Sequence, residues 1–167
     1  MIERRATLWA GIGAAAIWSV SLLWIAARYV QLPIFALMPT IMTAFLAPGL
    51  VLAVMLGWGS WRRAGAADHA AQFPGRDAPG MAAAVDRHVV QDTVYHLVLG
   101  LCIWPAAAVL LGATGPGVIV MLGIGLAVAR VLYWLGCHFS TVLRVFGQVA
   151  SLAPTALVAG WALVARF

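Results

Sequence analysis

Three charged side chains stand among apolar residues: Asp92, Arg130 and Arg144. A charge inside an apolar run is costly unless it is paired or faces a wet cavity, so each needs a reason. In DRHVVQDTVYHLVLG, helical spacing puts His88, Asp92, Tyr95 and His96 at i, i+4, i+7 and i+8. In ARVLYWLGC, Arg130, Tyr133, Trp134 and Cys137 fall at i, i+3, i+4 and i+7, and further on Gln148 and Ser151 follow Arg144 at i+4 and i+7. Two guanidinium groups with polar neighbours are the chemistry of an anion site, because their forked donors match a carboxylate. The same residues also describe a neutralised structural cluster, in which Asp92 pairs with Arg130 and Arg144 snorkels to the membrane surface.

The elements that must position these side chains are apolar throughout. The chain has 167 residues, 64% of them hydrophobic and only 9% charged, and its mean hydropathy is +0.99. A water-soluble domain carries about 25% charged residues, so an integral membrane protein is expected. Five apolar segments are visible, at about 6–27, 34–58, 89–112, 117–137 and 145–165. Each approaches or exceeds the roughly 20 residues that a helix needs to cross the hydrocarbon. The runs are continuous rather than alternating, which argues against a barrel. The expectation is one all-α, polytopic transmembrane bundle of about five spanning helices over residues 1–167. Residues 61–88 form the one substantial polar loop.

All ten basic residues are arginines, and their placement sets a topology. With Arg130 set aside as lying inside a segment and a cytoplasmic N-terminus, that side receives Arg4, Arg5, Arg62, Arg63, Arg76, Arg87 and Arg144, against Arg28 and Arg166 opposite. The polar ends of segments three, four and five then meet at the cytoplasmic face. The start MIERR followed by a long apolar run fits a retained helix better than the short core of a signal peptide.

Other chemistries find little support. The pI near 10.3 comes from short loops and segment ends rather than a basic groove, so no nucleic-acid partner is expected. GIGAAA matches a dinucleotide-binding pattern, but no strand precedes it. Cys102 and Cys137 have no metal-ligand spacing. His96 and His138 sit at different depths, which does not suit bis-histidine haem ligation. The odd number of segments and the lack of internal duplication argue against an inverted-repeat transporter.

Segments three to five resemble the MAPEG family, the membrane-associated proteins in eicosanoid and glutathione metabolism. The resemblance is carried by VVQDTVYHLVL, ARVLYWLG and RVFGQVASLAPTALV, in the family's order and spacing, and covers about residues 85–160. It implies a four-helix core at about 34–165 with an extra N-terminal helix at about 6–27, a homotrimer in the lipid bilayer, and a bacterial inner membrane location. It also implies a glutathione co-substrate bound near the cytoplasmic face and a lipophilic small-molecule electrophile. By position, Arg130 would contact glutathione and Arg144 would stabilise its thiolate as the catalytic residue. Arg87 and Gln91 are further candidate contacts, Asp92 would pair with an arginine, and Tyr95 would donate a hydrogen bond. Asp92, Tyr95 and Cys137 stand where the family has Asn, Glu and Tyr. A catalytically degenerate structural or accessory membrane protein is therefore the alternative.

Overall fold

A computed structural model of the chain describes residues 2–30, 32, 37–72 and 81–166. Six α-helices follow in order: α1 (Ile2–Tyr29), α2 (Leu37–Ala44), α3 (Leu46–Gln72), α4 (Met81–Leu110), α5 (Gly115–Phe139) and α6 (Thr141–Arg166). A 3₁₀ turn at Gly112–Thr114 joins α4 to α5. No strand occurs among the described residues. Five spans are long and apolar enough to cross a membrane, with α2 and the first part of α3 together forming the second. The all-α bundle expected from the apolar runs is therefore observed.

The helices differ from the apolar segments mainly at their ends. Most of the stretch 61–88, expected as a loop, is helix: α3 runs on to Gln72 and α4 begins at Met81. WRRAGAADHAAQ and MAAAVDRH are rich in alanine, the best helix former, so the helices continue past the point where hydropathy falls. Residues 73–80 of that loop, with Arg76, lie outside the described residues. The second apolar segment is split at Phe45. Pro48 lacks an N–H, and its ring clashes with the carbonyl four residues back, that of Ala44, where α2 ends.

Helix α5 is the centre. It packs against α1, α2, α3, α4 and α6, and half of its spanning stretch is buried, against 28% for α1 and α4. Lipid is as apolar as leucine, so contacts between spanning helices depend on close packing of small residues. Gly123 of α5 lies against the Ala44 carbonyl, where a side chain would collide. Gly147 of α6 lies over the α5 backbone, so that a Cβ there would come 2.6 Å from the Tyr133 Cα. Helix α1 belongs to the bundle: Trp18 meets Phe146 edge-on at 6.2 Å, and Ala15 packs with Ala129 and Ala150. Deeper in, Trp104 is fully buried, stacks on Phe45 at 4.8 Å and donates to Thr155 Oγ1 at 3.2 Å.

Candidate functional site

The two arginines that the sequence brackets together are placed in opposite environments. Arg130 lies about two and a half turns before the end of α5 and is fully buried. Its Nε donates to Ser151 Oγ at 2.8 Å, one terminal nitrogen to Asp92 Oδ2 at 2.7 Å, and the other to Gln148 Oε1 at 3.3 Å. The guanidinium carbon sits 4.7 Å from the centre of the Tyr133 ring, a cation–π contact. Gln148 Nε2 reaches the other Asp92 oxygen at 3.5 Å. Three helices, α4, α5 and α6, are thus tied by one charged cluster.

The spacing explains the convergence. Gln148 and Ser151 fall on one face of α6, close to one turn apart, and both meet the same guanidinium. On α4 the expected face divides. Asp92 and His96 turn inward, with His96 Nδ1 2.7 Å from the Asp92 carbonyl, while Tyr95 is 66% exposed. Tyr95 and His96 differ by 100° around a helix, so only one of them can share the inward side with Asp92.

Arg144 is exposed in the first turn of α6. No side-chain hydrogen bond or ion pair engages it among the described residues. It lines a groove of about 630 Å³ formed by Ala84, Val85 and His88 of α4, Tyr133 and Cys137 of α5, and Val145, Gln148 and Val149 of α6. That volume lies within the roughly 300–1,000 Å³ of small-molecule sites. Gly136 packs against the Arg144 backbone, and Ser140 alone separates α5 from α6. This tight corner sets the Cys137 end of α5 beside the start of α6. The amino end of α6 also carries partial positive charge, so cation and helix end favour an anion at the same mouth.

Asp92, Arg130 and Arg144 therefore do not share one pocket. Gln148 links the two places, lining the groove while bonding Arg130 and Asp92. Arg87 and Gln91 are exposed on α4 and, like Tyr95, are not part of the groove lining. His88 and Cys137 do line it; the same helical faces that pick out Asp92 and Arg130 contain them.

A second polar centre escaped the sequence reading. Asp86 is 6% exposed near the start of α4. It accepts from Arg62 of α3 at 2.8 Å and from Trp134 Nε1 of α5 at 2.9 Å, and His138 Nε2 lies 3.4 Å away. Placing residue 86 in a loop hid this cluster; an aspartate and a tryptophan carry no spacing signal across 48 residues. Among the described residues, no group of three or more His, Cys, Asp or Glu is placed to hold a metal.

Against known proteins, the chain stands apart: no protein-family model, no curated protein and no solved structure matches it. Fold and site together define a helical bundle of the membrane-spanning type, with a buried arginine cluster and an open, arginine-lined groove at one end.

Proposed function

We propose that the chain is a MAPEG-like membrane protein whose α4–α5–α6 groove binds a small anionic thiol, glutathione, for conjugation or reduction of a lipophilic electrophile. The observation that carries this reading is Arg144, a guanidinium without a side-chain partner among the described residues, in a groove large enough for a tripeptide. Beside a bound thiol it would favour the thiolate, the nucleophilic form. The apolar wall of Val85, Val145 and Val149 suits an electrophile arriving from the bilayer. The thiol proton would leave to water at the mouth of the groove, and the thiolate would attack the electrophilic carbon, forming a C–S bond as the leaving group departs with its bonding pair or, at an activated double bond, as the displaced pair takes up a proton from water. His88 supplies a second nitrogen donor.

In this reading the N-terminus is cytoplasmic, on the arginine distribution, and the protein sits in a bacterial inner membrane as a homotrimer. The exposed Gln91 on a spanning helix supports assembly, because a polar side chain facing lipid gains by bonding to a neighbouring helix. Arg130 acts here as a bracing residue and not as a grip on glutathione, since its three nitrogens already meet Ser151, Asp92 and Gln148.

That saturation also favours a second reading, a structural or accessory membrane protein without glutathione chemistry. Calorimetric titration of glutathione into the detergent-purified oligomer separates the two. Saturable binding that weakens about tenfold or more in Arg144→Ala, with the oligomer intact, supports the first. No heat at millimolar glutathione, with an intact oligomer, leaves the second.

A further inference from the structure

We infer that a second face of the same bundle end carries a specific site for an anionic phospholipid, seated between α3 and α5. Two stripes on these neighbouring helices run in the same order toward the same end. On α3 the stripe is Val51, Met55, Trp58 and Arg62, at i, i+4, i+7 and i+11; on α5 it is Val131, Trp134 and His138, at i, i+3 and i+7. Each passes from apolar residues through tryptophan to a nitrogen donor.

Between the apolar halves lies a groove of about 220 Å³, with Leu50 and Val54 at its sides and Met55 at its floor. The tryptophans close its polar end: Trp58 lies 5.3 Å from Trp61 and 6.4 Å from Trp134, ring to ring. Tryptophan is the residue that settles at the level of lipid headgroups. Arg62 lies one further turn along, about 12 Å above Val54 by helical rise.

The order matches one phospholipid molecule, with an acyl chain on the apolar walls, the glycerol region at the tryptophans and the phosphate at Arg62. Asp86 holds that arginine in place from behind. Its Oδ2 accepts from Arg62 and its Oδ1 from Trp134, and its side chain is 8% exposed against 38% for Arg62. The outer surface of the pair is thus the cation, with guanidinium donors left for a phosphate. The Arg62–Asp86 pair is neutral as a whole, but its exposed member is the cation, which favours an anionic headgroup over a zwitterionic one.

Native mass spectrometry of the purified full chain tests this site, using dioleoyl phosphatidylglycerol and dioleoyl phosphatidylcholine as probes. Phosphatidylglycerol should be retained about fivefold better, the selectivity expected of one arginine near the headgroup. Arg62→Gln should abolish that preference. Arg63→Gln removes the same charge about 100° away around α3 and should preserve it. Val54→Trp fills the exposed side of the groove without touching Asp86 and should lower retention of both lipids. Equal retention of the two lipids by the wild-type chain would overturn the assignment, as would equal losses in Arg62→Gln and Arg63→Gln, or unchanged retention in Val54→Trp.

Discussion

Arg130 and Arg144 are the same residue type, fourteen positions apart, on either side of one corner. One is wholly buried with Ser151, Asp92 and Gln148 around it; the other is exposed in a groove, without a side-chain partner among the described residues. Removing a charge from a saturated buried cluster strands its partners, whereas removing an unpartnered charge strands nothing. Burial and partner count, not residue type, separate the two: Arg130 braces the bundle and Arg144 lines an open groove.

Arg130→Ala should have the largest effect. It leaves Asp92 without its close cation, and breaking a buried pair from one side costs about 3–5 kcal/mol. Thermal unfolding in detergent should show a large fall in midpoint, and Asp92→Asn added to Arg130→Ala should recover part of it. A single-variant midpoint near the wild-type value would erase the contrast between the arginines.

Gly147→Ala should come next. The added methyl meets the Tyr133 backbone, where nothing flexible can yield, and overpacking of this kind costs about 1–3 kcal/mol. Gly13→Ala, which meets no neighbour within 4 Å, is the control in the same unfolding assay. A smaller loss, about 1–2 kcal/mol, is expected for Asp86→Asn, which keeps an acceptor but gives up the charge that Arg62 uses. The smallest change in stability belongs to Arg144→Ala, expected to unfold within about 2 °C of wild type while losing the anion.

Much of the bundle was legible in the sequence because membrane crossing imposes a length and a composition. The five spans follow from apolar runs, and the Arg130 cluster follows from helical spacing: Gln148 and Ser151 share a face, and Asp92 is the carboxylate within reach. Less visible were features set by packing across helices. Asp86 lay in a stretch whose alanines and charges read as a loop although they extend α4. Tyr95 was grouped with Asp92, yet the inward side of α4 takes His96 instead. The separation of Arg144 from the buried cluster goes with the short break at Ser140, after which the Arg144 backbone packs on Gly136. Sequence spacing finds residues that share a helix face; it does not say which of two neighbouring faces the rest of the bundle covers.

The most direct test is arginine-selective modification. Detergent-purified protein is treated briefly with phenylglyoxal, and the modified arginines are mapped by peptide mass spectrometry. Arg144 should be modified early and be shielded by millimolar glutathione, while Arg130 should stay unmodified until the protein is unfolded. Arg130 reacting at the rate of Arg144 in the folded protein would contradict the division of roles.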